Sequence, residues 1–326
     1  MTPSKTFLVT GTAGFIGFHL ATRLLDQGHK VVGFDNLNDY YSVALKEARN
    51  AILLKREGYT FVKANLEDKP AVMRVFKEHD FTTVFHLAAQ AGVRYSLEHP
   101  EAYITSNIEG TLNILEAARF CANKPHLLMA SSSSVYGLSQ KYPLREDDHA
   151  DRPVALYGAT KRSNELMGHS YAHLFGLRVT MLRFFTVYGP WGRPDMALFM
   201  FVKAILEDKE IEVFNGGDMI RDFTYVADIV EGMLALDQNR GKDGQPLYDC
   251  FNIGCANPRT LMEFIQAIEK AVGKKAKMKL MPFQAGDIYK TFADVSKLQT
   301  LCGYSPKTKI ETGIGEFVKW YREFYA

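Results

Sequence analysis

Thr6-Phe7-Leu8-Val9-Thr10-Gly11-Thr12-Ala13-Gly14-Phe15-Ile16-Gly17 stands near the start of the chain and decides how the rest is read. The first five residues are apolar and β-branched, the composition of a buried parallel strand, and they stop at a glycine. After Gly17 the pattern turns helical, with Phe18, Leu20, Ala21, Leu24 and Leu25 on one side, and it ends near Gly28. A strand, a glycine-rich turn and a helix present the free N–H groups of a helix N-terminus to a phosphate anion. Gly11 permits the tight turn, Gly14 lets backbone approach a diphosphate, and Gly17 lets the helix pack closely on the strand. Such a triplet also marks ordinary turns, so its surroundings must decide.

They favour a dinucleotide. A second strand, Lys30-Val31-Val32-Gly33-Phe34, ends in Asp35, where an acidic residue meets the adenosine ribose in this arrangement. Asp35 would accept from both ribose hydroxyls and repel a 2′-phosphate. No Arg or Lys follows until Lys46, so NAD is expected over NADP. The plainer role for Asp35 is to open the turn Asp35-Asn36-Leu37-Asn38. The ordered succession of strand, turn, helix, strand and acid supports the cofactor role.

Strands and helices then alternate. Strand patterns fall at 61–64, 83–87, 126–130 and 178–183, and helical patterns at about 70–79, 101–121 and 157–175. This is the signature of an α/β protein with a doubly wound parallel sheet. After Gly189-Pro190-Trp191-Gly192-Arg193-Pro194 the regularity loosens, and a smaller C-terminal α/β domain is expected, with helices at 259–272 and 313–324. The expected division is 1–188 for the nucleotide domain, joined by part of 224–256, and 189–326 for the substrate domain.

Composition narrows the setting. A chain of 326 residues has ample core for one large domain or two. No apolar run reaches transmembrane length, and Met1 to Lys5 leads straight into a strand, so a cytoplasmic protein without leader or membrane association is expected. The four cysteines form no CxxC pair and lack metal-ligand spacing with histidine, which predicts reduced thiols and no metal. A net charge of +2 gives no reason to expect nucleic acid. Lys274, Lys275, Lys277 and Lys279 read as a solvated turn and strand face.

The chemistry centres on Tyr157 and Lys161, which share a helix face at i and i+4. A free tyrosine titrates near ~10, so a base useful at neutral pH needs a shift of ~3 units, about 4 kcal/mol. One cation ~4 Å away at an effective dielectric of ~20 supplies a Coulomb energy of that order. Both the Lys161 ammonium and an oxidised nicotinamide would favour the phenolate. Tyr and Lys at this spacing also occur on solvated helix faces. Upstream, Ser131-Ser132-Ser133-Ser134-Val135-Tyr136-Gly137 follows a strand at the carboxyl edge of the sheet, where ligands bind in this architecture. A hydroxyl there can donate to a substrate oxygen and relay a proton toward Tyr157. A polar turn is the alternative.

The glycine turn, the serine run and Tyr157-Gly-Ala-Thr-Lys161 resemble the extended short-chain dehydrogenase/reductase superfamily, in particular its nucleotide-sugar epimerases. Residues 34–41, 86–96, 183–197 and 221–226 are similar to those of UDP-glucuronate 4-epimerases, which interconvert UDP-glucuronate and UDP-galacturonate. The resemblance implies that Tyr157 is the base, that Lys161 lowers its pKa and holds the nicotinamide ribose, and that Ser132 assists at the sugar O4. It further implies that Gly11, Gly14, Phe15, Ile16, Gly17, Asp35, Asn36, Asn65, Leu66, Ala88 and Ala89 hold NAD. Arg193 and Arg221 would grip the UDP phosphates, which suits a guanidinium, and Asp287 the nucleotide ribose. Helices near 101–120 and 157–175 resemble those that pair in superfamily homodimers.

Oxidation at C4 of a glucuronate creates a β-keto acid that readily loses CO2. Ser133, Ser134 and Thr186, with Arg94 as a further candidate, are expected to hold the carboxylate so that its C–C bond stays out of line with the ketone π system. Thr186 motivates this, since relatives with neutral sugars and the decarboxylases commonly carry Asn there. Asn65 and Ser42 each replace a frequent Asp of the family. A UDP-N-acetylhexosamine 4-epimerase, a UDP-glucuronate decarboxylase, a net oxidoreductase and a silent NAD-binding regulator are the other readings. Retention of Tyr157 and Lys161 argues against the last.

Overall fold

The computed structural model describes residues 4–239, 241, 245–284 and 286–325. The part of the N-terminal expectation that concerns residues 1–3 lies outside them. Seven parallel strands form the central sheet, in the order Tyr248–Ile253, β6 (Val179–Phe184), β5 (His126–Ser132), β4 (Thr83–His86), β1 (Thr6–Thr10), β2 (Lys30–Asp35) and β3 (Tyr59–Lys63). Alternation along β1 sends Phe7 and Val9 into one apolar core and Leu8 into the other, so both faces are covered, as parallel sheets require. The doubly wound α/β class expected from the sequence is borne out.

Helices α1 (Phe15–Asp26), α2 (Val43–Leu54) and α3 (Lys69–Glu78) connect the first strands. Because β1 lies between β2 and β4, successive connections leave it in opposite directions, and a crevice opens at its carboxyl end. Two glycines make the turn there possible. Gly11 has φ +78°, and a Cβ on it would lie 2.9 Å from the Ala88 nitrogen of the neighbouring strand end. A Cβ on Gly17 would lie 2.1 Å from the Gly11 carbonyl oxygen, inside the space that lets α1 start against the turn.

A third core lies apart from the sheet. Leu198, Phe199 and Val202 pack with Phe264, Phe317 and Trp320, and the rings of Phe223 and Phe264 stack at 3.9 Å. The helices that supply these residues are Ala197–Leu206, Leu261–Val272 and Ile310–Tyr325. Between them the chain returns to the sheet: Val226–Gln238 packs against α1, and Tyr248–Ile253 extends the sheet beside β6.

Two features depart from the sequence reading. The single helix expected at 101–121 is broken into Pro100–Tyr103, a π-helical stretch Ile104–Glu109, and Gly110–Arg119. The wide turn carries Asn107, whose amide donates to the Gln90 carbonyl at 3.0 Å and whose oxygen accepts from the Gln90 N–H at 2.8 Å. Helix α2 was not foreseen; Ser42 caps it by accepting from the Leu45 N–H at 3.4 Å.

We expect Gly17→Ala to be destabilising toward the top of the ~1–3 kcal/mol range for overpacking, because the obstructing atom is backbone. Thermal melting with and without saturating NAD measures this, and a variant with an unchanged melting temperature would contradict the close approach.

Candidate active site

A cavity of about 820 Å³ runs along the carboxyl ends of the strands and continues between the sheet and the third core. Among the residues assigned from sequence it is lined by Gly11, Gly14, Phe15, Ile16, Gly17, Asp35, Asn36, Leu66, Ala88, Ala89, Arg94, Ser132, Ser133, Ser134, Tyr157, Lys161, Thr186, Arg193, Arg221 and Asp287. Asn65 is not among the lining residues. Its side-chain oxygen accepts from the Asn36 amide at 3.0 Å, which places it behind Asn36.

The cofactor end is built from β1, β2 and α1. Gly14 stands at the N-cap of α1 without a side-chain cap, and the first turn holds no acidic residue, so the positive end of the helix is left for an anion. Asp35 accepts from the Ala13 N–H at 3.0 Å and from the Leu37 N–H at 2.9 Å. The second bond is the turn-opening one, so the two roles weighed for Asp35 coexist: the turn fixes the carboxylate, which still lines the cavity. Burial pushes its carboxyl above the usual range, opposed by the Leu37 bond and the charge of Lys46. Space shaped by glycine, a helix N-terminus and a fixed carboxylate together suit a dinucleotide with a free ribose 2′-hydroxyl.

Tyr157 and Lys161 lie on the first turns of the helix Leu156–Phe175. Lys161 is buried and donates to the Ala130 carbonyl at 2.9 Å; burial pushes its ammonium down to about 8. Burial also raises the Tyr157 phenol above its ordinary value, while a hydrogen bond with Ser132 and the charge of Arg193 pull it back. Arg193 is thus a further cation that favours the phenolate, beside the two that the sequence reading named, Lys161 and an oxidised nicotinamide.

The serines divide their labour. Ser131 donates to Glu165 at 2.6 Å, and Glu165 is held by Arg183 at 2.8 Å and Arg162 at 2.7 Å. Burial would raise the Glu165 carboxyl, but these partners hold it below the usual range. Ser131 is therefore committed to the core, and Ser132 is the hydroxyl left facing Tyr157.

Elsewhere on the wall Arg193 forms an ion pair with Asp195, and Tyr40 donates to the same carboxylate at 2.9 Å. Arg221 pairs with Asp287 at 3.1 Å and donates to the Ile220 and Tyr289 carbonyls at 3.0 Å. Arg94 lies over the Phe214 ring at 4.8 Å. Sequence reasoning missed Lys46, Tyr40, Asp195 and Phe214 on the cavity wall. A basic residue in the helix after the Asp35 turn was the one available signal for Lys46.

Fold and cavity define a dinucleotide-dependent enzyme of the short-chain dehydrogenase/reductase type, with a buried tyrosine and lysine on one helix and two arginines on the same cavity wall. Residues 7–254 match the NAD dependent epimerase/dehydratase family, and the chain belongs to it. It is 53% identical to an uncharacterised protein of Methanocaldococcus jannaschii, across 98% of this chain and 97% of that one. It is 48% identical to a probable UDP-glucuronate 4-epimerase of Rhizobium meliloti, across 98% and 97%. The crystal structure of UDP-glucuronic acid 4-epimerase from Bacillus cereus, in complex with UDP-glucuronic acid and NAD, superposes with a TM-score of 0.91 at 33% identity, covering 98% of this chain and all of that one. The expected class, an NAD-dependent nucleotide-sugar epimerase, is borne out. Among the described residues no cluster of potential metal ligands occurs, and no helix is long and apolar enough to cross a membrane.

Because Ser132 lowers the phenol pKa, Ser132→Ala should raise it. The rise of kcat with pH, which follows deprotonation of the base, should move to higher pH, with a loss of about 10²-fold or more near neutrality. A pH–rate profile checks this; an unmoved limb would remove Ser132 from the proton path.

Proposed function

We propose that this protein is a UDP-glucuronate 4-epimerase, interconverting UDP-glucuronate and UDP-galacturonate through a 4-keto sugar. The observation that carries the reading is that Thr186, Ser133 and Ser134 line the same cavity as Tyr157 and Ser132, together with Arg193 and Arg221. Similarity to relatives named for this reaction supports it.

NAD, which Gly11, Gly14 and Asp35 would hold, would supply a reversible hydride acceptor for the sugar C4 and so would not be consumed. Tyr157 takes the proton from O4, and Ser132 donates to that oxygen and relays the proton. Arg193 and Arg221 hold the UDP diphosphate as the 4-keto sugar turns to offer its other face. Asp287 and Arg221, already paired, form the nucleoside end. In this division of labour the sheet domain holds the cofactor and residues 189–326 hold most of the nucleotide sugar.

Ser133, Ser134 and Thr186 donate to the sugar carboxylate, with Arg94 near it, and keep its C–C bond from aligning with the ketone. Loss of CO2 is thereby slowed relative to hydride return. We also propose a homodimer paired through Gly110–Arg119 and Leu156–Phe175, which pack on each other and leave Leu112, Leu166 and Leu174 exposed. A reducing cytoplasm suits the four free cysteines.

Purified protein incubated with UDP-glucuronate and no added NAD should yield UDP-galacturonate by chromatography, without accumulation of reduced nicotinamide. Accumulated NADH would indicate a net oxidoreductase, and UDP-pentose as the main product a decarboxylase. Tyr157→Phe should lower kcat by about 10²–10⁴-fold; intact turnover would overturn the assignment of the base.

Ser133→Ala and Thr186→Ala should each release UDP-pentose beside the epimer. If neither variant forms any, the carboxylate is held by other groups.

A further inference from the structure

Three successive carbonyls, those of Pro190, Trp191 and Gly192, accept hydrogen bonds from side chains of the cofactor-binding half. His19 on α1 is 2.8 Å from the Pro190 oxygen, and Arg49 on α2 donates to Trp191 at 2.6 Å and to Gly192 at 3.3 Å. A carbonyl only accepts, so His19 Nε2 carries the proton, and burial keeps the ring neutral by pushing its pKa down to about 4. Arg49 has a second set of partners: the Ala13 carbonyl of the glycine turn at 2.8 Å and the Tyr41 hydroxyl at 2.9 Å. Its side chain is fully buried, and these four hydrogen bonds to described residues all go to neutral oxygens.

The clamped peptide is not in a relaxed conformation. Trp191 has φ +60°, unusual for a residue with a bulky side chain, and its ring packs on Phe18 of α1 at 5.5 Å. The next residue after the three clamped carbonyls is Arg193, a cation that acts on Tyr157 and that would grip the substrate diphosphate. One guanidinium thus ties the cofactor turn directly to the loop that bears the substrate arginine.

We propose that His19 and Arg49 are positioning residues forming a clasp between the glycine turn and residues 190–192, which fixes Arg193 relative to the cofactor site and keeps NAD from leaving between turnovers. An epimerase needs such retention more than a dehydrogenase does, because the cofactor that accepts the hydride must be the one that returns it. The retention part rests only on the NAD-binding family, and the effect on substrate also rests on the proposed reaction.

The test compares wild type with Arg49→Met, His19→Phe and His19→Gln, purified without added NAD. NAD bound per chain after gel filtration, and its release rate well below each melting temperature, are measured without substrate, so the result stands apart from the substrate assignment. Wild type should keep its NAD. Arg49→Met should release it roughly tenfold faster or more, the size expected for losing hydrogen bonds to a charged group. His19→Phe should move in the same direction, and His19→Gln, whose amide can donate to Pro190, should behave as wild type. Once loaded with saturating NAD, Arg49→Met should show a raised KM for UDP-glucuronate and a rise of kcat moved to higher pH, because Arg193 both meets the substrate and favours the phenolate; an unchanged KM with an unmoved limb would overturn the tie to Arg193. Wild-type release from both Arg49→Met and His19→Phe would overturn the clasp, and so would equal loss from His19→Phe and His19→Gln. If Arg49→Met does not fold, the two His19 variants decide.

Discussion

A phenol that must ionise while surrounded by protein sets the terms for the rest of this site. Burial works against the phenolate, and the deficit to be made up is about 4 kcal/mol for ~3 pK units. Positive charge and hydrogen bonds to the oxygen work against that deficit, although the Tyr157 phenol still stands above its ordinary value, and each cation brought in is itself partly desolvated and needs holding. Arg193 is held by Asp195, and Asp195 by Tyr40. Lys161 is held by the Ala130 carbonyl at the end of β5. Ser132 is itself held by the Ser134 hydroxyl and N–H at 3.2 Å, and its neighbour Ser131 is tied to Glu165, whose charge Arg183 and Arg162 balance. The network around Tyr157 is therefore a chain of necessities running from one titration to the core of the sheet.

What could be read from the sequence was whatever local geometry determines. The glycine turn is legible because a Cβ at Gly11 or Gly17 would collide with backbone nearby in the fold. Tyr157 and Lys161 are legible because helix spacing puts them on one face. Contacts between distant segments were not legible. The buried stripe of α2 is Leu45, Lys46, Arg49, Asn50 and Leu53. Amphipathic reasoning turns such cations toward water, and only the oxygens they meet in the fold explain why they face inward: those of Asn38 for Lys46, and those of Ala13, Trp191 and Gly192 for Arg49. Likewise the pattern at 101–121 is helical throughout, and nothing in it announces the π-helical turn made to carry Asn107 to the Gln90 backbone. Asn65 was placed by resemblance at the cofactor, and in the fold it supports Asn36.

The reaction makes opposed demands on the same cavity. The diphosphate must be anchored, because it is the pivot about which the keto sugar turns, and bidentate arginines suit that work. The sugar ring must be free to turn, so few strong contacts can hold its hydroxyls. A uronic acid tightens the conflict, since its carboxylate must be restrained in both orientations. In the proposed reaction, short hydroxyl donors such as Ser133, Ser134 and Thr186 would meet that need better than a fixed cation. They hold weakly enough to exchange partners, whereas a buried ion pair costs several kcal/mol to break.

Arg49 carries the same logic to the cofactor. A guanidinium buried among neutral oxygens gains less than one facing a carboxylate, and an apolar residue in its place would avoid the desolvation. The carbonyls of Ala13, Trp191 and Gly192 would then lose a donor, and buried acceptors left without partners cost about 1–3 kcal/mol each. A lysine could serve one of those oxygens well; the planar fork of arginine serves both sides of the gap at once. The hydrogen-bond partners of Arg49 are neutral, and the anion that answers its charge is Asp35, whose carboxyl it helps to pull down against burial. The same guanidinium thus favours the charged form of the residue that meets the cofactor in the proposed site.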